Sequence, residues 1–342
     1  MISIPSVKLG LKSLCALAIV SSTSAGDDKC VELYQLSRDS QIAFIQHHRT
    51  FHSVAWSPSG SLLVSGSAVF DFSVYAPPEF SLCRRVDAHT GSIYAVSISG
   101  NGEYLTTAGY DGVVKLWDVR TGEFLDESDS SSGRILAMSF LDDDTVVTGG
   151  LDGKIRLWSI PDLVIRTTHD FDRPVTSLAY SQNRLLVIGS AGQSPGHNVP
   201  IMTWDGDDLT EFRQLVGAEK AASTVSISKN GKIVATAGAS QHGIRLWNTD
   251  TGETISTLPG HRVSTTALSF NGTASSLAST GQDGFVRVWD TEEGILTAEI
   301  QPFSNGVGRD VAYSPDGNFL CACGGYEPGE MVVWKCAANE HE

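Results

Sequence analysis

The clearest structural signal in the chain is the stretch Val114-Lys115-Leu116-Trp117-Asp118. It reads as a short β-strand that carries one aromatic residue, Trp117. Similar stretches recur, each with one aromatic residue at the same place: Tyr34, Tyr75, Trp117, Trp158, Trp204, Trp247, Trp289 and Trp334. Successive aromatic residues are 41, 42, 41, 46, 43, 42 and 45 residues apart. The chain therefore contains an internal repeat with a period of about 42 residues.

Each repeat reads as four short strands. A first strand with alternating apolar residues, such as residues 52–56, leads into a turn such as Ser57-Pro58-Ser59-Gly60, whose Pro and Gly fit the turn dihedrals. A strand of small apolar residues, the aromatic strand, a glycine turn and a more polar fourth strand follow. First strands are expected to start near residues 51, 93, 134, 175, 223, 265 and 308. With no room for helices between them, the strands predict antiparallel meanders and an all-β fold.

The repeat resembles the WD40 family. The resemblance rests on the period, on the pairs Trp117-Asp118, Trp204-Asp205 and Trp289-Asp290, and on Gly260-His261. It covers at least residues 41–337. It implies a WD40-type β-propeller of four-stranded antiparallel blades arranged around a central channel.

The resemblance also implies a hydrogen-bonded relay within a blade, from a loop His to a strand Ser or Thr, a turn Asp and the third-strand Trp. Asp111 and Asp283 each stand six residues before their Trp. The usual Ser/Thr place, two before the Asp, holds Gly109 and Gly281, so the relay is expected to be incomplete. A structural role is expected for His89, Asp111, Trp117, Asp152, Trp158, His261, Asp283 and Trp289.

The number of blades depends on how the ring closes. The last repeat ends near Ala337 without a fourth strand, and residues 41–46 are a suitable strand to complete it. This reading favours seven blades. The alternative counts Tyr34 as an eighth marker, with strands at 17–22 and 30–36.

Residues 1–25 have the layout of a secretory signal peptide: Lys8 and Lys12, an apolar stretch over 14–20, and small residues ending at Ala25. Residues 26–40 would form a lead-in, and 41–342 a single propeller domain. Cleavage after Ala25 predicts an exported protein, secreted or periplasmic; the alternative is a cytoplasmic one.

Composition narrows the functional classes. A formal net charge of -15 disfavours nucleic-acid phosphates and anionic lipid as partners. The chain contains no run of 18 apolar residues, so no membrane-spanning helix is predicted. No motif for a catalytic elbow, a zinc protease or a phosphate loop occurs, and the cysteines lack metal-ligand spacing. We therefore expect no enzyme activity, cofactor or metal, and other proteins or peptides as partners.

The loops between second and third strands carry the variation in length and chemistry. Two are long, at 189–198 and 324–329. Tyr110 and Leu151 precede the turn Asp in neighbouring blades, and Phe70 is expected to hold a comparable place. The candidate partner-binding residues are Phe70, Tyr110, Leu151, His197 and Tyr326. The sequence thus predicts a non-catalytic protein-interaction scaffold. The alternative is a propeller enzyme or small-ligand protein, which convergent charged residues at the channel mouth would favour.

Overall fold

The computed structural model of the protein describes residues 40–131, 133–171, 173–181, 185–190, 199–204, 208–215, 222–238, 243–304 and 306–336. Within these ranges the secondary structure is β-strand without α-helix. Accordingly, no helix in the described part of the chain is long and apolar enough to cross a membrane. The predicted signal and lead-in, residues 1–39, and the candidate residue His197 lie outside the described ranges.

The strands form seven four-stranded antiparallel sheets, which we number as blades in chain order. Blade 1 holds β2 (Phe51–Trp56), β3 (Leu63–Ser67), β4 (Asp71–Ala76) and β5 (Ser81–Asp87). Blade 2 holds β6 (Ile93–Ile98), β7 (Tyr104–Gly109), β8 (Val114–Asp118) and β9 (Phe124–Glu127). Blade 3 holds β10 (Ile135–Asp142), β11 (Thr145–Gly150), β12 (Lys154–Ser159) and β13 (Ile165–Asp170).

Blade 4 holds β14 (Val175–Tyr180), β15 (Leu185–Ser190), β16 (Val199–Trp204) and β17 (Leu209–Leu215). Blade 5 holds β18 (Thr224–Ile227), β19 (Ile233–Ala237), β20 (Ile244–Asn248) and β21 (Thr254–Leu258). Blade 6 holds β22 (Thr265–Phe270), β23 (Ser276–Gly281), β24 (Val286–Asp290) and β25 (Ile295–Ile300). Blade 7 holds β26 (Gly308–Tyr313), β27 (Phe319–Gly324), β28 (Gly329–Lys335) and, as its outer strand, β1 (Gln41–His47).

The seventh blade is completed by the other end of the chain. Strand β1 pairs antiparallel with β28, in a register that places Gln41 opposite Trp334 and His47 opposite Gly329. This confirms the predicted closure and the seven-blade reading, and the eight-blade alternative is wrong. The eighth marker, Tyr34, lies outside the described residues.

The first strands of the blades form the inner wall of the ring. Each contacts the first strand of the next blade, and β2 contacts β26 to close the circle. The predicted starts of these strands agree with the structure to within one residue: two differ, with β10 starting at Ile135 and β18 at Thr224. The periodic aromatic residue therefore fixes the position of the strands as well as their number.

Seven apolar clusters hold the blades together, each of them spanning one interface between neighbours. In each cluster the third-strand aromatic of one blade packs against the second and third strands of the blade before it. Trp247 of blade 5, for example, packs with Val187 and Ile201 of blade 4. At the closing interface Tyr75 takes this place, against Met331 and Val333 of blade 7. Trp117, Trp158, Trp247 and Trp289 are all buried at these interfaces, since none is more than 4% exposed.

Candidate functional site

The turns between second and third strands lie on one face of the disc, which we call the loop face. On this face the first strand of each blade begins beside the end of its second strand, as the pairs Phe51–Ser67 and Ile93–Gly109 show. The predicted binding residues of the described chain are exposed on these turns, with 42% of Phe70, 51% of Tyr110, 44% of Leu151 and 52% of Tyr326 accessible. They come from the consecutive blades 7, 1, 2 and 3, and we call them the apolar arc.

Direct contacts join the four turns of the arc in order. The Thr50 hydroxyl donates to the Tyr326 carbonyl at 2.6 Å, and the Thr50 carbonyl accepts from the Ala68 N–H at 2.9 Å. The Phe70 carbonyl accepts from the His89 N–H at 2.9 Å. These bonds hold the blade 7 turn to blade 1, and blade 1 to the loop that enters blade 2.

The same continuity extends to blade 3. The His89 ring bonds to Asp111, the neighbour of Tyr110, at 2.9 Å. The Arg134 guanidinium lies over the Tyr110 ring, 4.0 Å from its centroid, and the Arg134 carbonyl accepts from the Leu151 N–H at 2.9 Å. The arc is thus a connected surface whose turns are fixed to one another by backbone and side-chain contacts.

Phe70 is not the counterpart of Tyr110, contrary to expectation. The Tyr110 N–H donates to the Ser92 carbonyl in the preceding loop. In blade 1 the equivalent bond is made by Ala68, whose N–H donates to the Thr50 carbonyl. Phe70 instead has a φ of 75°, like the turn glycines Gly112 and Gly153, whose φ values are 72° and 70°. A bulky residue is strained in this left-handed region, and such strain is concentrated at functional sites. Blade 1 thus places an exposed phenyl group where its neighbours have glycine.

The relay in blade 2 is complete, and the expectation that it would be incomplete is wrong. His89 Nδ1 lies 2.9 Å from Asp111 Oδ2, and His89 Nε2 lies 2.8 Å from Thr107 Oγ1. Trp117 Nε1–H donates to the same hydroxyl at 2.9 Å. A neutral histidine satisfies every group, with Nδ1–H donating to the carboxylate and Nε2 accepting from the Thr107 hydroxyl. The relay ties the loop entering blade 2 to its buried tryptophan.

Blade 6 repeats the arrangement with Ser279 in the hydroxyl place. His261 Nδ1 lies 2.7 Å from Asp283 and Nε2 lies 2.9 Å from Ser279 Oγ, to which Trp289 Nε1–H donates at 3.0 Å. Burial is the main cause that lowers the pKa of His261, which keeps the ring neutral at pH 7. Burial acts to raise the pKa of Asp283, but hydrogen bonds from His261 and Arg287 outweigh it and hold that pKa below its usual value.

Steric crowding explains why Gly109 and Gly281 stand where a Ser or Thr hydroxyl was expected. A Cβ at Gly109 would lie 1.9 Å from the Ser92 carbonyl oxygen. A Cβ at Gly281 would lie 2.7 Å from His261 Nδ1. Since no side chain fits there, the hydroxyl comes from two residues earlier, on the same face of the strand.

Two other blades use variants of the relay. In blade 3, Trp158 Nε1–H donates to Thr148 Oγ1 at 2.9 Å, while Asp152 accepts from Arg156 at 2.6 Å. In blade 1, His47 Nε2 lies 3.3 Å from Asp71, which also accepts from the Ser67 hydroxyl. The His47–Asp71 pair does not follow the expected spacing, because Asp71 stands four residues, not six, before the third-strand aromatic Tyr75.

Replacing Thr107 with Val is expected to lower the free energy of unfolding by about 1–3 kcal/mol. The isosteric change leaves His89 Nε2 and Trp117 Nε1 buried without their shared partner. Chemical denaturation with unchanged m-value measures the loss. Thr106→Val is the matched control, because Thr106 is equally buried but makes a single longer bond, 3.3 Å, to the Ser97 carbonyl. Equal losses in the two variants would contradict a special role for the relay.

The channel mouth on the loop face carries a second group of residues, which the sequence analysis did not single out. In six first strands the second residue is a β-bulge, the extra residue between two paired neighbours, and it is partly exposed. The six bulge residues are His52, Tyr94, Leu136, Thr176, Thr266 and Arg309. Because bulges redirect side chains, we assign these residues to the rim of the channel.

Three adjacent rim residues form a polar group, which we call the rim cluster: Arg309, His52 and Tyr94 of blades 7, 1 and 2. The His52 and Tyr94 rings lie with centroids 5.0 Å apart. Burial, and then the charge of Arg309, lower the pKa of His52 to about 4, so His52 is neutral at pH 7. Arg309 is therefore the cation of this cluster. In the described part of the chain no group of three His, Cys, Asp or Glu residues is arranged to hold a metal ion.

Comparison with known families matches the chain to the WD40 model, "WD domain, G-beta repeat", over residues 39–75, 80–118, 123–159 and 252–290. Each matched segment covers the outer strand of one blade and the inner three strands of the next. This offset by one strand is the same one by which β1 completes blade 7.

Several curated proteins are similar over most of the chain. The "Periodic tryptophan protein 2 homolog" of Dictyostelium discoideum is 25% identical over 281 residues, which are 79% of this chain and 30% of that protein. Its namesake in Mus musculus is 24% identical over 78% of this chain and 29% of its own length. The "Autophagy-related protein 16" of Arabidopsis thaliana is 24% identical over 73% of this chain and 49% of its length.

The chain thus spans from under a third to about half of the length of these relatives. The four matched segments, set within seven four-stranded blades, show that the chain is a β-propeller that contains WD40 repeats.

Proposed function

We propose that this propeller is a non-catalytic scaffold that binds protein or peptide partners on its loop face, with the apolar arc as the contact. The observation that carries the proposal is the exposure of Phe70, Tyr110, Leu151 and Tyr326 on the connected turns of four consecutive blades. Single exposed apolar residues are ordinary on protein surfaces, whereas a contiguous group on one face is typical of an interface.

The rigidity of the arc favours binding. Its turns are joined through Thr50, His89 and Arg134, so that little conformational entropy is lost when a partner docks. Aromatic anchors at the centre of an interface commonly contribute about 2 kcal/mol or more each. The strained backbone at Phe70 supports the same conclusion, since a glycine there would fit the turn without strain and would present no side chain.

The alternative, a propeller enzyme or small-ligand protein, depends on convergent polar groups in the channel. The rim cluster is such a group, but in the described residues it has one cation, a neutral His52 and the phenol of Tyr94. It contains no carboxylate paired with His52 as a catalytic base would require. These features favour a role in recognition.

The relatives support a binding platform in preference to one reaction. Their names refer to unlike processes, including "Autophagy-related protein 16" and "Pre-mRNA-processing factor 19 homolog 2", both of Arabidopsis thaliana. What they share with this chain is the repeat region, and WD40 propellers typically serve in protein interactions. Proteins that share a fold but take part in unlike processes are expected when function resides in variable loops.

The cellular location is also a proposal. The layout of residues 1–25 supports export, with cleavage after Ala25. The cysteines of the described residues support the cytoplasmic alternative, because all are free and Cys83 is exposed. An exposed free thiol is typical of a reducing compartment.

The double variant Tyr110→Ala/Tyr326→Ala is expected to lose partners that the native chain captures from an extract of its own cells, while its melting temperature stays nearly unchanged. Both rings are about half exposed, so truncation removes little buried area. Quantitative mass spectrometry of captured proteins provides the readout. Ile255→Ala is the matched control, because Ile255 is 49% exposed on an outer strand away from the arc. Thr121→Ala and Thr251→Ala, in turns on the opposite face, should also leave capture unchanged.

A further inference from the structure

Arg309 has an unsatisfied donor at the rim of the channel. It is the bulge residue of β26, between the paired residues Gly308 and Asp310. Its guanidinium lies over the ring of Tyr326, 5.7 Å from the centroid, so it connects the rim cluster to the apolar arc. Its Nε is buried and has no hydrogen-bond acceptor among the described residues. Such a donor is costly unless something binds it.

The groups around Arg309 leave its charge free to act. The nearest carboxyl in sequence, Asp310, accepts from the N–H groups of Val54 and Val311, each at 2.8 Å, and so binds blade 1. His52 carries no charge at neutral pH. A guanidinium stacked on an aromatic ring keeps its fork of donors available for a planar anion such as a carboxylate.

The arc has a second arginine in the same arrangement. Arg134 is exposed and stacks on Tyr110. The carboxylates of the neighbouring turns are already engaged: Asp111 by His89, Asp152 by Arg156 and Glu327 by Arg49. In a chain of formal net charge -15, the two tyrosines of the arc are therefore each covered by an arginine. These two cations beside the tyrosines of the arc are complementary to an acidic partner.

We infer that the partner of the loop face is an acidic peptide segment, with an Asp or Glu carboxylate bound by Arg309 at the channel rim and apolar side chains packed on the arc. Arg134 provides a second contact for negative charge along the same segment. The inference rests on the proposed function and adds to it the chemistry of the occupant and the residue that selects it.

Selection of a display library of random short peptides on the full chain tests this inference. The enriched peptides should combine an Asp or Glu with aromatic or aliphatic neighbours. Synthesised and measured by fluorescence anisotropy, they should bind Arg309→Gln about tenfold or more weakly than the native chain. Arg309→Lys should restore part of the affinity, because it keeps the charge and loses the fork.

Arg120→Gln makes the same change of charge on an exposed turn of the opposite face and should bind like the native chain. Melting temperatures identify any variant that fails to fold. Peptides without acidic bias, equal affinity for Arg309→Gln, or no enriched peptide would each overturn the inference. If acetylated glutamate alone binds as tightly as the peptides, the occupant of the site is not a peptide segment.

Comparing the two variants distinguishes a failure of this inference from a failure of the proposed function. Peptides that lose affinity in Tyr110→Ala/Tyr326→Ala but not in Arg309→Gln would leave the loop face as the binding site and exclude its acidic selectivity. Peptides that bind both variants with native affinity would exclude both.

Discussion

Trp247→Ala is expected to lower the free energy of unfolding by roughly 3–5 kcal/mol. Trp247 is 1% exposed, donates to Thr236 Oγ1 at 2.8 Å and packs against blade 4, so truncation leaves a cavity between two blades. The denaturation midpoint at constant m-value measures the loss. The same result is expected at Trp117, Trp158 and Trp289, because each occupies the equivalent interface.

Phe212→Ala is the control for this series, since Phe212 is 44% exposed on the outer strand of blade 4 and its loss should cost little. Losses below about 1 kcal/mol at several of the tryptophans would mean that the third strands do not pack between blades.

A chain that starts at Arg49 is expected to aggregate. It lacks β1, so β28 becomes an unpaired edge strand whose buried residues include Met331 and Val333. Exposed edges of this kind pair with other chains. The apolar cluster between blades 7 and 1 also loses Ala43 and Ile45, which pack on it. Light scattering and size-exclusion chromatography report the outcome.

The matched control is a chain that starts at Ser40 and retains all of β1; it should be monomeric and melt like the full chain. Closure by β1 is contradicted if the shorter chain stays monomeric with unchanged melting.

The fold could be predicted from the sequence because its main determinant is local. An aromatic residue near every forty-second position, followed in several repeats by a glycine turn, fixes the third strand, and the lengths between leave room for strands alone. The missing fourth strand after Trp334 then required a donor, and residues 41–46 supplied it. These inferences need only side-chain period and chain length.

The relays show where such reasoning fails. The position of Gly109 in the sequence indicates a missing hydroxyl, but the close approach of the Ser92 carbonyl excludes a side chain there and brings Thr107 into the relay. The His47–Asp71 pair departs from the spacing of the other relays, because Asp71 stands four residues before Tyr75 whereas Asp111 stands six residues before Trp117. Close approaches and altered turns of this kind are set by tertiary geometry, which a fixed spacing rule does not contain.

The candidate site was predicted in part. Tyr110, Leu151 and Tyr326 were identified from their positions in turns, whereas Phe70 was given the wrong place because the blade 1 turn is differently built. Arg309 was missed because a β-bulge interrupts the alternation that assigns strand faces. One signal in the sequence could have identified it: His52, Tyr94 and Arg309 occupy the same position of the repeat but differ in chemistry.

Titration of a purified captured partner against the native chain and the Tyr110→Ala/Tyr326→Ala variant tests the central claim most directly. If the apolar arc is the binding surface, the variant binds at least about tenfold more weakly, while Thr251→Ala binds like the native chain. Native affinity in the folded double variant would contradict the assignment of binding to the arc.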